Sequence, residues 1–177
     1  MTGLTLVRLT PEQVAEIHPI MRATATDLAT RYGRGHWSYT PSLDRLAVQA
    51  ERRHVFAVRR RGRAVATLAL NRKAPGWYHL ERFRFPADPA AYLSNLAVLP
   101  GLQGQGIGRW CVSEAERMAA EWGCLALRFD AYDSPAGAAP FYRKCGFVSR
   151  GPFVFNRVPL ILFEKTWHSA PPRRPGA

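Results

Sequence analysis

Apolar and polar positions along the chain repeat with either a strand-like or a helix-like period. Alternation over residues 4–9 predicts a short first strand. Thr10, followed by Pro11 and then by Gln13, is typical of a helix N-terminus with a capping box. We therefore expect one helix from Thr10 to about Arg31, with a buried stripe of Val14, Ile17, Met21 and Leu28.

The middle of the chain predicts a second helix and three further strands. The helix is expected over residues 42–53, after the loop sequence RYGRGHWSYTP. Residues 54–70 alternate as a hairpin that turns near Gly62. Residues 71–89 hold three prolines and a glycine, so we expect irregular structure there before a fourth strand over residues 91–99.

The remaining pattern completes one mixed sheet. Three further strands are predicted over residues 125–132, 147–156 and 159–167. A short helix is predicted over residues 135–146, between the first two of these strands. No repeat and no linker divides the body, so we expect one α/β domain over residues 1–168, with seven strands and about four helices. The polar, proline-rich residues 169–177 predict a disordered tail.

A run of glycines stands between the fourth strand and a strongly helical pattern that ends before Gly123. The helical stripe is Ile107, Cys111, Val112, Ala115, Met118, Ala119 and Trp122. The helix therefore begins within the glycines, where few Cβ atoms obstruct the main chain. We predict that phosphate binds there to the backbone amides of Gln103, Gly104, Gln105, Gly106, Ile107, Gly108 and Arg109. The alternative is that the glycines bind no phosphate and only allow a tight turn with close packing of the helix on the sheet.

Composition narrows the class of protein. The first residues hold no apolar segment of signal-peptide length, and the apolar runs are too short to cross a bilayer. Cys111, Cys124 and Cys145 are odd in number and widely spaced, which indicates a reduced compartment rather than a disulfide framework. The five histidines and three cysteines show no metal-ligand spacing. We expect a cytoplasmic protein with neither a metal nor a membrane partner.

The charge favours anionic partners. Twenty-five Lys and Arg against 13 Asp and Glu give a formal net charge of +12. An arginine-rich genome would explain the same excess without any function. Nucleic acid could bind residues 58–63 and the tail, but the sequence has no helix-turn-helix, zinc-finger or RNP signature, so this partner is not favoured.

Two motifs identify the phosphate ligand. Arg109 stands where the third glycine of a dinucleotide fingerprint would fall, and no Gly-Lys-Ser/Thr of a P-loop is present. The chain instead matches V-x-P-x-x-[QR]-x-x-G-x-[GA] with Val98, Pro100, Gln103, Gly106 and Gly108. This resembles motif A of the GNAT superfamily of N-acyltransferases, which cradles the pyrophosphate of acyl-CoA.

A second match follows at the expected distance. Residues 127–147 resemble motif B of the same superfamily, N-x-x-A-x-x-F-Y-x-x-x-G-F, through Ala138, Phe141, Tyr142, Gly146 and Phe147. Pro135 occupies the asparagine position, so the cofactor contact of that side chain is missing or replaced. The order of elements also matches, over about residues 4–167.

The resemblance implies an N-acetyltransferase that moves an acetyl group from acetyl-CoA to a primary amine by direct attack in a ternary complex. It implies that strands four and five splay apart around acyl-CoA, with main-chain groups of Leu96, Ala97 and Val98 on the pantetheine arm and thioester. A monomer or homodimer would fit. The alternatives are a CoA-binding sensor without catalysis and a basic protein associated with nucleic acid, for example one acting on an RNA-linked amine.

The resemblance also implies roles for side chains. Tyr142 matches a tyrosine that binds the cofactor and protonates the CoA thiolate in many relatives; packing in the core is the alternative. Asp130 could act as a base through water, although we expect it to pair with Arg128 on the same strand face. His79 and Glu81 are further candidate bases in a segment expected to be solvated.

The loop between the first two helices could face the acceptor. Relatives often use this region for that purpose, and here it holds His36, Trp37 and Tyr39. These side chains could form an aromatic wall for the acceptor amine. Alternatively, Trp37 packs against the loop and fixes it. The identity of the acceptor and the length of the acyl chain stay open.

Overall fold

Residues 3–167 are described by a computed structural model. Within this range the chain forms seven strands and four α-helices, joined by loops and short 3-10 turns. In chain order they are β1 Leu4–Arg8, α1 His18–Tyr32, α2 Leu43–Arg52, β2 His54–Arg60, β3 Arg63–Asn71, β4 Ala90–Val98, α3 Ile107–Glu121, β5 Ala126–Tyr132, α4 Ala139–Lys144, β6 Val148–Phe155 and β7 Val158–Thr166. The predicted seven-stranded α/β fold is confirmed. The predicted tail, residues 169–177, lies outside the described residues.

The sheet is mixed, in the order β1-β2-β3-β4-β5-β7-β6. Antiparallel ladders join β1 to β2, β2 to β3, β5 to β7 and β6 to β7. A parallel ladder joins β4 to β5 where Ala90, Ala91 and Tyr92 pair with Ala126, Leu127 and Arg128. The chain divides into two compact units: residues 3–70 with 95–111, and residues 71–94 with 112–167.

The first unit packs α1 and α2 on one apolar cluster. Its buried members are Leu9, Val14, Ile17, Ile20, Leu46, Ala50, Val55, Ala57 and Ala69. The predicted single helix from Thr10 is wrong in one respect, because a 3-10 helix at Pro11–Glu16 precedes α1. Pro19 lies in the first turn of α1 and has no N–H, which suits a helix that begins anew at His18. As predicted, the Gln13 side chain accepts a hydrogen bond from the Thr10 amide (3.0 Å).

Strand β4 has a local irregularity at Asn95, whose φ of 53° is left-handed. A non-glycine residue with this conformation is uncommon within a strand and interrupts the regular alternation of side chains. The Asn95 side-chain amide donates to Gln49 Oε1 of α2 at 2.8 Å. This bond connects α2 to the part of β4 that leads into the glycines.

The second unit holds the segment between β3 and β4 against its own strands. Arg128 of β5 and Glu164 of β7 face each other in the ladder and form an ion pair of 3.0 Å. Both side chains are buried, with exposures of 1% and 0%. Arg128 also donates to Phe85 O (2.6 Å), and Glu164 accepts from the Arg84 amide (3.0 Å). The buried pair thus anchors residues 84–85, although the segment has little regular structure.

Candidate active site

Residues 101–108, which we call the glycine segment, lead from β4 into α3. The Gln103 amide donates to Pro100 O (3.2 Å) within a short 3-10 turn, so this one predicted phosphate donor already has a carbonyl partner. At the other end, the Trp110 amide donates to Gly106 O (3.0 Å) in the first turn of α3. The amides from Gly104 to Gly108 lie between these bonds, at the N-terminal end of a 15-residue helix.

Two glycines in this segment are required by conformation. Gly104 and Gly106 have φ values of 76° and 80°. A Cβ on Gly104 would meet no atom within 4 Å, so its backbone conformation, and not crowding, favours glycine there. A run of left-handed glycines before a helix turns successive N–H groups toward one side and forms an anion-binding concavity. The predicted helix start within the glycines is confirmed.

Glutamine side chains brace the glycine segment. Gln103 Nε2 donates to Val98 O (3.2 Å), at the end of β4. Gln105 Nε2 donates to Gly101 O at 3.5 Å, and its Oε1 accepts from Arg60 Nη1 at 3.0 Å. The two glutamine side chains thus bind main-chain carbonyls and a guanidinium around the segment.

The predicted thioester-binding residues form the end of β4. Leu96, Ala97 and Val98 are all half-buried. Ala97 packs against the apolar cluster of the first unit. The Val98 carbonyl accepts from Gln103 and from the Thr24 hydroxyl of α1 (3.5 Å). The cofactor role of these main-chain groups stays a prediction.

Tyr142 lies on α4 in the second unit, and its side chain is only 8% exposed. Its ring contacts several aromatic rings, with the Phe129 centroid at 4.3 Å and the Phe141 centroid at 5.1 Å. The rings of Phe147 and Phe163 follow at 6.1 and 5.9 Å. The packing therefore fixes the plane of the phenol, and its role as an acid stays a prediction.

The expected ion pair between Arg128 and Asp130 is wrong. Arg128 binds Glu164, because the register of β5 and β7 places these two residues opposite each other. Asp130 instead accepts a hydrogen bond of 2.5 Å from the Tyr78 hydroxyl. Burial raises the pKa of Asp130 above its ordinary value of 3.8, and the Tyr78 bond only partly offsets this. Burial, reinforced by the Asp130 charge, raises the pKa of Tyr78 as well.

The other candidate bases are solvated. His79 Nδ1 and Glu81 Oε1 lie 3.4 Å apart, with side-chain exposures of 48% and 73%. Neither side chain is held in a buried environment, whereas the Asp130 carboxylate is bound by the Tyr78 hydroxyl.

Ser134, in the loop from β5 to α4, was not predicted as a site residue. Its Oγ is buried and has no hydrogen-bond partner among residues 3–167. The loop is tightly built here, because a Cβ on Gly137 would lie 2.0 Å from the Tyr132 carbonyl oxygen. Pro135, which replaces the asparagine of motif B, is the exposed neighbour of Ser134. A buried hydroxyl without a partner is a group that a polar ligand atom could satisfy.

The loop between α1 and α2 is held by its tryptophan. Trp37 Nε1 donates to Gly33 O (3.0 Å), and a Cβ on Gly35 would lie 2.5 Å from the Trp37 ring. Tyr39 is 59% exposed and accepts from Arg45 at 2.9 Å. A groove of about 630 Å³ runs beside the loop, lined by Ala25, Thr26, Ala29, Thr30, Arg34, Gly35, Ser38, Tyr39 and Thr40. His36 and Trp37 are not among the lining residues.

Two further findings concern the described residues 3–167. No group of three or more His, Cys, Asp or Glu side chains in this range is arranged to hold a metal ion. None of its helices combines the length and the apolar character that a membrane span requires.

The model of the Acetyltransferase (GNAT) family matches residues 15–147. Several solved structures share the fold. A GNAT-family acetyltransferase from Listeria monocytogenes is 18% identical, with a TM-score of 0.72 over 93% of this chain and 95% of that one. The PaiA N-acetyltransferase of Thermoplasma acidophilum, solved with coenzyme A, is 15% identical, with a TM-score of 0.69 over 94% and 100%. YncA of Salmonella typhimurium, solved with its cofactor acetyl-CoA, is 18% identical, with a TM-score of 0.64 over 96% and 98%. No curated protein matches the sequence.

Proposed function

The chain belongs to the acetyltransferase (GNAT) family, and we propose that it transfers an acetyl group from acetyl-CoA to a primary amine within a ternary complex. The observation that carries this proposal is the glycine segment, whose amides lie at the start of α3. PaiA and YncA, with the same fold, were solved with coenzyme A and acetyl-CoA. Acetyl-CoA supplies an activated acyl thioester.

The residues present fit this donor. The amides from Gly104 to Gly108 provide uncharged donors and the positive end of a helix dipole for a pyrophosphate. The Ser134 hydroxyl is buried and has no partner among residues 3–167, so it is suited to a polar atom of a ligand. It would replace the contact that Pro135 cannot make. Main-chain groups of Leu96, Ala97 and Val98 bind the thioester end.

Tyr142 holds the proton that the departing thiolate requires. A phenol and a thiol have ordinary pKa values within about two units of each other, so proton transfer between them is not strongly uphill. The aromatic rings around Tyr142 restrict its rotation, which supports a fixed direction for the hydroxyl. General acid catalysis of this kind contributes roughly 10²–10⁴ in rate.

Asp130 is our candidate for the group that removes the proton from the acceptor amine. Its raised pKa makes it a better base than an ordinary carboxylate. The Tyr78 hydroxyl orients the carboxylate and occupies one of its oxygens. The second oxygen is then the one that can accept a proton, directly or through water.

The groove beside the loop between α1 and α2 is the proposed acceptor region. Tyr39 lines it together with hydroxyl groups of threonine and serine, and Arg34 supplies a cation. Hydroxyl groups and a guanidinium favour a polar acceptor that is neutral or anionic away from its amine. His36 and Trp37 would act by shaping the loop.

Calorimetric titration with acetyl-CoA, followed by thiol release in the presence of an amine panel, tests the proposal. The panel includes amino acids, small amines, peptide N-termini and lysine peptides. We expect micromolar-scale binding and amine-dependent thiol release. If acetyl-CoA binds but no amine in the panel causes thiol release, the result would favour a CoA-binding sensor without catalysis. No binding by a folded protein, together with salt-dependent nucleic-acid binding, would favour the nucleic-acid alternative.

A further inference from the structure

The turn between β2 and β3 presents three arginines, Arg60, Arg61 and Arg63. The ion pairs found among residues 3–167 involve none of them. Arg59, one residue earlier, is by contrast neutralised by Glu16 at 2.6 Å. Three arginines without carboxylate partners in one short turn repel one another, and an anion between them would relieve that repulsion.

A groove of about 960 Å³ borders this turn, within the first unit. It is lined by the three arginines and Gly3 together with the apolar residues Ala64, Val65, Leu99 and Leu102. Guanidinium groups bind phosphate in a bidentate manner, and an apolar lining accepts the flat face of a base. Cationic and apolar groups side by side are therefore suited to a nucleotide.

The turn is also connected to the glycine segment. Arg60 Nη1 donates to Gln105 Oε1 at 3.0 Å. Residues 85–108 contain no lysine or arginine, so β4 and the glycine segment supply only uncharged donors. A phosphate monoester carries close to two negative charges at neutral pH and requires cations from elsewhere. Arg109 follows the segment within α3, and the arginine turn supplies further cations that contact the segment through Gln105.

The backbone of the turn carries a conformational cost. Arg61 and Gly62 have φ values of 51° and 77°, the two left-handed positions of a tight hairpin turn. Asn, Asp and Gly are the residues favoured at such positions, and a long charged side chain is disfavoured. An arginine at position 61 is therefore not explained by the turn itself.

We propose that the arginine turn, residues 60–63, and its groove bind the phosphate monoester of a nucleotide. The inference builds on the proposed use of acetyl-CoA as donor. The nucleotide is either the 3′-phosphorylated adenosine end of coenzyme A or a separate adenine nucleotide. Arg61 and Arg63 contact the phosphate, and Arg60 joins the turn to the glycine segment through Gln105.

Calorimetry with coenzyme A and with 3′-dephospho-coenzyme A tests whether the groove binds the 3′-phosphate of coenzyme A. We compare the parent with Arg61→Gly and Arg63→Gln, and use Arg52→Gln as a matched control, because Arg52 is exposed on α2 and does not line the groove. If the 3′-phosphate binds there, the parent prefers coenzyme A by about tenfold, the scale of one hydrogen bond to a charged group. The preference disappears in the two groove variants and persists in Arg52→Gln.

Arg61→Gly distinguishes a binding role from a structural one. Glycine adopts the left-handed conformation without the cost that arginine meets, so we expect a higher thermal midpoint. A variant that is more stable yet loses the phosphate preference indicates that the arginine is present for the ligand. A merely structural arginine would lose stability on replacement.

Titration of AMP, which carries one phosphate monoester, into protein saturated with dephospho-coenzyme A tests whether the groove binds a separate nucleotide. Binding that is lost in Arg63→Gln and kept in Arg52→Gln supports a separate nucleotide. The proposal is overturned if the parent binds coenzyme A and dephospho-coenzyme A equally and AMP binding is absent or independent of Arg61 and Arg63. If a folded parent binds neither coenzyme, the proposed donor is wrong, and AMP titrated alone decides whether the groove binds a phosphate monoester.

Discussion

The Tyr78 hydroxyl donates a 2.5 Å hydrogen bond to the Asp130 carboxylate, although 52 positions separate the two residues in the chain. Tyr78 belongs to the irregular segment before β4, and Asp130 lies near the end of β5. The same ring lies 5.9 Å from the Tyr92 ring and 6.4 Å from the Phe153 ring. The hydroxyl that binds the carboxylate therefore belongs to a ring that is itself packed among aromatic rings.

Asp130→Asn should remove a pH dependence of stability. Burial raises the pKa of Asp130 above 3.8, so the folded chain holds this proton more tightly than the unfolded chain. The contribution of Asp130 is most favourable at low pH, and stability is lost as pH rises from about 4 through the folded pKa. We expect the free energy of unfolding of the parent to fall relative to that of Asp130→Asn across this pH range, measured by urea denaturation at a series of pH values.

Tyr78→Phe removes the hydrogen bond that lowers the pKa of Asp130, so the pH range over which stability is lost should extend upward. Superimposable profiles of parent and Asp130→Asn would contradict the assignment.

Gly104→Ala should weaken acetyl-CoA binding. The φ of 76° at Gly104 disfavours any Cβ by about 1–2 kcal/mol, so the segment must rebuild and its amides lose their common direction. Gly101→Ala is the matched control, because a Cβ at either glycine meets no atom within 4 Å but only Gly104 has a left-handed φ. Calorimetry on both variants measures the affinity, and thermal melts establish that they are folded. Equal affinities for the parent and a folded Gly104→Ala would place the phosphate elsewhere.

Tyr142→Phe should lower kcat with little change in acetyl-CoA affinity. The substitution keeps the ring and its contact with Phe129, and removes only the hydroxyl that protonates the thiolate. The expected loss is roughly 10²–10⁴ in kcat. Steady-state kinetics beside a thermal melt measure the effect, and Phe141→Leu is a control for altered packing on the same helix. A kcat close to that of the parent, with chemistry shown to be rate-limiting, would indicate that water protonates the thiolate instead.

Glu164→Gln should destabilise the fold strongly. The carboxylate accepts from Arg128 (3.0 Å) and Arg150 (2.8 Å), and its loss leaves a buried guanidinium without a counter-charge. Breaking such a pair costs about 3–5 kcal/mol, whereas Glu81→Gln on the exposed segment should stay within about 0.5 kcal/mol of the parent. Chemical denaturation measures the free energy of unfolding of both variants.

A double variant separates charge from packing in the same pair. Arg128→Met with Glu164→Leu removes both charges and keeps apolar volume, so it should recover much of the stability lost in Glu164→Gln. A double variant as unstable as the single one would show that the hydrogen bonds to residues 84–85, and not the buried charge, hold the segment.

The elements of this fold could be predicted from the sequence because their signals are local. A capping glutamine, a turn at Gly62 and glycines before an amphipathic helix act within a few residues, and each lies where the pattern places it. The family could be predicted for the same reason, since motifs A and B are contiguous stretches. The boundary between the 3-10 helix and α1 was missed, although Pro19 carries the signal.

The partners of the charged side chains were decided by the tertiary structure. Alternation along β5 correctly placed Arg128 and Asp130 on one face, but it could not show that the register of β7 brings Glu164 opposite Arg128. Nor could it show that Tyr78 folds back onto Asp130. A buried charge takes the partner that strand pairing and loop packing bring within reach, and those contacts join residues 36 and 52 positions apart. Sequence periodicity reports which face a side chain occupies, whereas only the folded chain determines what it meets there.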